Sequence, residues 1–299
     1  MTTEAKEPPR LARDRAWIAA AYLAGLGAAL AAGWLTRERH PLLVAALADL
    51  AGTVVVFAFS MAFDNSSVYD PYWSVAPIPI ALYWAWLGLE SGSPPARLAL
   101  ILMLFFIWGI RLTQNWLARW RGMGDEDFRY RRIRERTGRA YWPASFLSIH
   151  LMPTIWVFLG MLPAWAALAR PGRPFGWLDL AACAVTLAAI LVEWLADRQL
   201  RRFLRERKDK AEILDKGLWA ASRHPNYFGE VLFWWGIFLF GIAAAPDEWW
   251  TGVGALSILA LFLFVSVPWM DRRMLAGHPE YRRRLQTTSG LVPWVRKKS

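Results

Sequence analysis

The chain alternates between long apolar runs and short polar segments. The apolar runs are about twenty residues long and carry almost no charge, which is the length that an α-helix needs to cross a hydrocarbon core ~30 Å thick. They predict eight spans: 16–35, 42–63, 74–89, 98–110, 146–169, 175–196, 228–245 and 249–270. The third is short and contains Pro77 and Pro79, and the second is interrupted by Asp49. The pattern predicts an all-α polytopic membrane protein of seven to eight transmembrane helices.

One membrane domain is the simplest organisation for 299 residues of which 56% are hydrophobic. Its N-terminal part, 1–145, would hold the first four spans and a polar loop, and its C-terminal part, 146–299, the remaining spans and the tail. The loops 119–145 and 197–225 are the places where a sizeable polar site could form.

The basic residues are distributed unevenly between the two sides that eight spans define. Of the 35 Lys and Arg, 29 fall on the side of the two termini, and Arg111 belongs to the fourth span. The other side carries Arg37, Arg39, Arg97, Arg170 and Arg173. Such a bias predicts cytosolic N- and C-termini, and an inner or plasma membrane if the source is bacterial. The net charge of +11 therefore reflects topology, and it does not indicate a nucleic-acid partner.

Cysteine and histidine content excludes several kinds of site. Cys183 stands alone within an apolar span, so no disulfide framework is expected. The four His lack the spacing of metal ligands, and we infer no metal. No cleavage site follows the first apolar run, which is typical of a signal anchor rather than a cleaved signal peptide.

The segment 216–230 carries the most specific pattern, because it joins a charged segment to the seventh span. Pro225 biases His224 away from helical geometry and predicts that the next helix begins at Pro225 or Asn226. A helix N-terminus beside Arg223 and His224 suits a phosphate or another anion. Asn226 and Glu230 share a helix face, and Glu230 lies where an unpaired carboxylate would be costly.

A second polar group lies at the end of the sixth span. Glu193 and Asp197 are four residues apart, and basic side chains follow on the emerging helix: Arg198, Arg201, Arg202 and Arg205. Carboxylates beside guanidinium groups could hold the ribose hydroxyls and phosphates of a cofactor. The alternative for the arginines is a basic helix lying on anionic lipid.

These segments resemble the steroid 5α-reductase family, and in particular its bacterial DUF1295-type branch. The most specific part runs from Ser222 to Glu230, and the acid before the basic helix matches as well. Similar strings elsewhere are Asp70-Pro-Tyr-Trp73, Trp108-Gly-Ile-Arg111, Glu126-Asp-Phe-Arg129-Tyr130, Ser266-Val-Pro-Trp-Met-Asp271 and Pro279-Glu-Tyr281. The resemblance covers roughly 49–293.

The resemblance implies a membrane enzyme that uses NADPH to reduce a carbon–carbon double bond conjugated to a carbonyl in a steroid-like or enoyl lipid. It places the residues matching Asp197, Asn226 and Glu230 around the cofactor. With the polar residues above, the expected cofactor-binding set is Arg111, Glu193, Asp197, Arg201, Ser222, Arg223, His224, Asn226, Tyr227 and Glu230. A hydrogen-bond donor must polarise the carbonyl as enolate charge develops, and Tyr72, Tyr130 or a protonated carboxyl such as Glu230 could supply it.

The last span departs from the steroid-reducing members, which carry an Arg, His and Tyr cluster where this chain has Leu263, Val267 and Asp271. The lipid substrate is therefore undetermined, and no obligate protein partner is expected. The loop Arg223-His-Pro-Asn-Tyr227 also resembles isoprenylcysteine carboxyl methyltransferases, which would imply S-adenosylmethionine as the cofactor. A non-enzymatic lipid-binding or transport protein on the same scaffold is the third alternative.

Overall fold

Residues 9–294 are described by the structure, which is a computed structural model. The basic residues counted above at positions 6 and 296–298 lie outside this part of the chain. Its α-helices of seven or more residues are α1 (Pro9–Leu35), α2 (Pro41–Ala62), α3 (Pro77–Ser91), α4 (Pro95–Leu117), α5 (Phe128–Thr137), α6 (Met152–Leu168), α7 (Trp177–Glu206), α8 (Pro225–Ala244), α9 (Val253–Leu261), α10 (Val267–Gly277) and α11 (Tyr281–Thr287). Within residues 9–294 there is no β-strand, and one isolated bridge joins Ser222 to Ser289.

Seven helical segments of the described chain are long and apolar enough to cross a membrane. They are Arg10–Leu35, Pro41–Ala62, Pro95–Leu117, Phe128–Leu168, Trp177–Glu206, Pro225–Ala244 and Pro246–Gly277. This confirms the predicted all-α polytopic membrane protein. The predicted third span, 74–89, forms the 15-residue helix α3, which is shorter than the other spanning segments.

Local sequence signals explain where several helices begin and end. His40 caps α2 by accepting a hydrogen bond from the Leu42 backbone N–H at 3.3 Å, and Pro41 occupies the first helical position. Asp127 caps α5 in the same way. Gly138, with φ of 51°, ends α5, because a residue with a side chain rarely adopts that backbone conformation.

The described chain divides into two compact units. The first comprises the chain up to Trp86 together with Trp108–Phe158, so it contains α1, α2, most of α3, the end of α4, α5 and the start of α6. Its core is formed by buried apolar and aromatic side chains: Ile18, Ala21, Val56, Val68, Tyr69, Tyr72 and Trp120. The second unit comprises Leu87–Ile107 and the chain from Leu159 onward.

Helices α7 and α8 form the framework of the second unit, and glycines of α8 allow their close approach. A Cβ atom on Gly229 would lie 2.6 Å from the Cβ of Glu193 and 2.9 Å from the carbonyl oxygen of Ala189. One on Gly236 would lie 2.2 Å from the hydroxyl of Thr186. All three distances are below van der Waals contact, so only glycine permits this packing, which holds the polar end of α8 against α7.

Candidate functional site

The loop before α8 is fixed to the polar end of α7. Gln199 of α7 accepts a hydrogen bond from the Leu218 backbone N–H at 3.0 Å, and the Trp219 indole donates to the Ala196 carbonyl at 3.0 Å. His224, with φ of −138° and ψ of 63°, is not helical, and α8 begins at Pro225. The sequence prediction for this helix start is confirmed.

Asp271 of α10 is the centre of a cluster of hydrogen bonds that holds this loop. Its carboxylate accepts from Nε and Nη2 of Arg223 at 3.1 and 2.8 Å, from Nε2 of His224 at 2.9 Å and from the hydroxyl of Tyr281 at 2.8 Å. Burial and the neighbouring Asp271 charge raise the pKa of Tyr281, which therefore donates rather than ionises. Four donors on one carboxylate make this a rigid junction between α8, α10 and α11.

The segment after α11 closes the same junction. Arg223 donates its backbone N–H to the Ser289 carbonyl at 2.8 Å, and Trp294 donates to the Ala221 carbonyl at 3.0 Å. The Ser222 hydroxyl donates to the Leu291 carbonyl at 2.7 Å. The start of α8 is thus held from one side by α7 and from another by the last described residues of the chain.

Asp197, Asn226, Glu193 and Glu230 lie together where α7 and α8 pack. The Asn226 side-chain N–H₂ donates to Asp197 at 3.4 Å, while its amide oxygen is buried and accepts no hydrogen bond within residues 9–294. Glu193, Asp197 and Glu230 are all buried. The Glu230 carboxylate accepts a hydrogen bond from the Trp234 indole at 2.8 Å. The sequence-predicted polar groups of the sixth and seventh spans therefore meet.

The remaining candidates of the second unit occupy the margin of this group. Tyr227 stacks on His224 with ring centroids 5.2 Å apart and touches Phe262 at 5.0 Å. Arg201 is half-buried one turn beyond Asp197 on α7. Ser222, Arg223 and His224 have the internal partners described above, so they position the start of α8 directly.

Tyr72 of the first unit faces an acid within the predicted membrane region. Its hydroxyl lies 3.5 Å from Oδ1 of Asp49 and 3.5 Å from the Asp49 carbonyl, and both side chains are buried. A Cβ on Gly52 would lie 2.4 Å from the same hydroxyl, so this glycine makes room for it. Within residues 9–294 the Asp49 side chain forms no ion pair, and Tyr72 is its hydrogen-bond donor.

Tyr130 is a second buried tyrosine with an acidic partner in the first unit. Its hydroxyl donates to Oδ1 of Asp70 at 2.5 Å. Burial raises the pKa of Asp70 to about 6, against the lowering effect of Arg129 and of the Tyr130 hydroxyl. Tyr130 is thus engaged in a tight internal bond, whereas the 3.5 Å contact of Tyr72 leaves its hydroxyl available to another acceptor.

Arg111 lies half-buried on α4, in the part of that helix that belongs to the first unit. The structure therefore brings together the predicted residues of α7, α8 and the loop between them in one unit. Tyr72, Tyr130 and Arg111 belong to the other unit.

A family described as "Protein of unknown function (DUF1295)" matches residues 56–288. The chain belongs to the DUF1295 family. A protein of Schizosaccharomyces pombe (strain 972 / ATCC 24843), described as uncharacterized, is 27% identical over 245 residues, which cover 75% of this chain and 71% of that protein. No solved structure matches the chain at a significant level.

The match confirms the DUF1295-type branch expected from the sequence strings. It spans Tyr72, the Asn226–Glu230 segment and Asp271, whereas Asp49 lies outside it.

Sequence reasoning missed the role of two residues. Asp271 entered the sequence analysis as a departure from related families, and Tyr281 only as part of a similar string. No local pattern links Arg223 to an acid 48 residues later, because the pairing is created by the packing of α10 beside the start of α8. The signal that could have found it is the ionisable side chain near the end of an apolar span, which needs a partner in lipid.

Proposed function

We propose that this DUF1295 protein is a membrane-embedded reductase that uses NADPH to reduce a carbon–carbon double bond conjugated to a carbonyl in a lipid. The observation that carries the proposal is the polar group between α7 and α8. There Asn226, at the start of a 20-residue helix, donates to Asp197, and its buried amide oxygen accepts no hydrogen bond within residues 9–294. A buried acceptor without a donor is costly unless a ligand donates to it.

The residues of this group suit a dinucleotide. The amide oxygen of Asn226 can accept from an amide or hydroxyl group, and Glu193 and Asp197 can accept from ribose hydroxyls. The N-terminus of α8 and the half-buried Arg201 supply positive potential for phosphates. NADPH would supply the hydride, and the role of these residues is to bind and orient it. The resemblance of the segment from Ser222 to Glu230 to the steroid 5α-reductase family supports the same cofactor.

Within the first unit, the Tyr72–Asp49 pair has the chemistry that a donor to a carbonyl requires. The Tyr72 hydroxyl is buried and only weakly bonded at 3.5 Å, so it can donate to a carbonyl oxygen on which negative charge develops. Asp49, next to it in an apolar region, orients the hydroxyl. An apolar surrounding is also what a lipid substrate requires.

The test is a cofactor titration of the purified protein in detergent, followed by thermal stability. NADPH, NADH and S-adenosylmethionine are added separately to the wild type and to the variants Asn226→Ala and Glu230→Gln. Gln114→Ala, which removes an exposed amide from α4, is the control. A ligand that binds only the folded state stabilises it by ~2.7 kcal/mol at one hundred times its Kd.

We expect NADPH to stabilise the wild type and the Gln114→Ala variant, and the effect to be lost in Asn226→Ala. Reduction would then be assayed with enone and enoyl lipids, where Tyr72→Phe should abolish turnover and leave NADPH binding intact. Stabilisation by S-adenosylmethionine alone would replace the proposal with a methyltransferase. Failure of all three ligands to stabilise the folded protein would favour a lipid-binding or transport protein without cofactor chemistry.

A further inference from the structure

Helix α5 has two faces of different character. On its inner face, Tyr130 bonds to Asp70, and Arg134 pairs with Asp64 at 2.8 Å and with Glu126 at 3.4 Å. Arg134 also lies over the Tyr141 ring, 3.9 Å from its centroid. These contacts attach α5 to the rest of the first unit, and they pair its inward-pointing basic side chain with acidic groups.

The outer face of α5 consists of Arg131, Arg132 and Arg136, all exposed, with Arg139 exposed just beyond the helix end. At 100° per residue the three helical arginines fall within one third to one half of the helix circumference. Glu135 is the one acid on this face. Within residues 9–294 no ion pair is formed by any of these four arginines.

The outer face lies close to the start of a membrane span. The chain turns at Gly138, where φ is 51°, and is helical again from Tyr141. Leu147 and Ile155 on that continuation are 60% and 48% exposed, as expected of side chains that contact lipid. Arg139 precedes Leu147 by eight residues, or about 12 Å at helical rise. Arg139 is thus close enough to the apolar span to reach the lipid headgroups, and the positive-φ turn at Gly138 lets α5 depart from the direction of the span.

We infer that the outer face of α5 binds the phosphate groups of acidic phospholipids in the adjacent leaflet. Charge complementarity selects this occupant, because a one-sided cationic face at headgroup depth matches a layer of phosphates. Guanidinium groups bind phosphate oxygens in a bidentate manner. They are also more weakly hydrated than ammonium groups, so water competes less with that pairing. Since Arg134 on the inner face already has acidic partners, lipid binding uses only side chains that the fold leaves exposed.

The experiment measures the association of spin-labelled phosphatidylglycerol and phosphatidylcholine with the full-length protein in phosphatidylcholine vesicles. The test variant combines Arg131→Gln, Arg132→Gln and Arg136→Gln. The matched control combines Lys208→Gln, Lys210→Gln and Lys216→Gln, which removes the same charge from exposed positions in the loop after α7. Neither variant touches a residue of the proposed cofactor group.

We expect the wild type and the control to associate more with phosphatidylglycerol than with phosphatidylcholine, and the test variant to lose most of that preference. The loss should reach at most about fivefold per arginine. The preference of the wild type for phosphatidylglycerol should shrink as salt is added, because exposed charges are screened over ~10 Å at 0.1 M ionic strength. Free inorganic phosphate at the same ionic strength as the added salt should compete no better than chloride.

Three outcomes would overturn the inference: no lipid preference in the wild type, an unchanged preference in the test variant, or an equal loss in both variants. The last would identify general charge attraction instead of a site on α5. Thermal unfolding of both variants in phosphatidylcholine alone verifies that they fold. Because no cofactor is involved, the result is independent of the proposed reductase activity.

Discussion

At the scale of single residues, the protein satisfies its buried charges in small groups built from distant parts of the chain. Asp271 accepts hydrogen bonds from three residues of two other segments, and Tyr130 donates to Asp70, which lies 60 residues before it. Sequence alone identified Arg223, His224 and Tyr130 as chemically notable. It could not identify their partners, because a residue's neighbour in space depends on helix packing and not on local pattern.

The Asp271 cluster predicts a large loss of stability when its centre is removed. Asp271→Ala leaves the guanidinium of Arg223 and the ring of His224 without their acceptor in a mostly buried site, where the side chains of Arg223 and Asp271 are each 11% exposed. Breaking such a pair should cost about 3 kcal/mol. Thermal unfolding in detergent measures the cost, with the exposed neighbour Arg272→Gln as the control. Equal midpoints for the two variants would contradict a structural role for the cluster.

Asp70 predicts a pH dependence of stability. Its pKa is raised to about 6 in the folded protein, against ~3.9 in an unfolded chain. The folded state therefore binds the Asp70 proton more tightly than the unfolded chain does. The resulting contribution to the free energy of unfolding is complete below pH ~4 and is lost as the pH rises through 6. The lost stability amounts to about 3 kcal/mol.

Asp70→Asn removes that titration and keeps an acceptor for Tyr130. The variant should gain stability relative to the wild type between pH 4 and pH 7, as measured by thermal unfolding across that interval. Asp125→Asn, at an exposed carboxyl, is the control. A difference between Asp70→Asn and wild type that does not vary with pH would show that the Asp70 carboxyl does not titrate there.

At the scale of elements, apolar pattern located the membrane helices but not their full length. The predicted spans 98–110 and 175–196 are the apolar parts of α4, which ends at Leu117, and of α7, which ends at Glu206. Arg, Gln and Glu are good helix formers, so both helices continue into water where the hydrophobic signal stops. The start of α8 was predictable because Pro225 acts locally on its predecessor.

The packing of α7 against α8 predicts the effect of a single methyl group. Gly229→Ala would place a carbon 2.6 Å from the Cβ of Glu193, so the helices must separate. We expect a loss of 1–3 kcal/mol, typical of overpacking, together with weaker cofactor-induced stabilisation, because Asn226 and Glu230 lie on the displaced helix.

Gly27→Ala on α1 is the matched control, since no atom lies within 4 Å of the added Cβ. Helix propensity favours alanine by up to ~1 kcal/mol, so this variant should be as stable as the wild type or more so. A Gly229→Ala protein as stable as Gly27→Ala would mean that α7 and α8 are not in close contact in the membrane.

At the scale of the whole molecule, the number of crossings depends on α3. Its 15 residues extend about 22 Å at helical rise, which is less than the ~30 Å core. Yet it runs beside α4 over this length: the Ser74 hydroxyl, just before α3, lies 3.2 Å from that of Thr113, and a Cβ on Gly88 would lie 3.2 Å from Leu98. A helix antiparallel to a spanning helix reaches the far side with it. We therefore expect α3 to be a short eighth crossing, accommodated by local thinning of the bilayer.

Eight crossings return the chain to its starting side, whereas seven would leave Glu90 on the side of Asp64. Single cysteines at Asp64, Glu90 and Arg282, each exposed, can be introduced into a Cys183→Ser background and labelled from one side of sealed vesicles with a membrane-impermeant thiol reagent. We expect Asp64→Cys and Arg282→Cys to react from the side rich in basic residues, and Glu90→Cys from the other. Labelling of Asp64→Cys and Glu90→Cys from the same side would show that α3 turns back within the bilayer. The basic residues before α1 would then face the side opposite to those that follow α4 and α7.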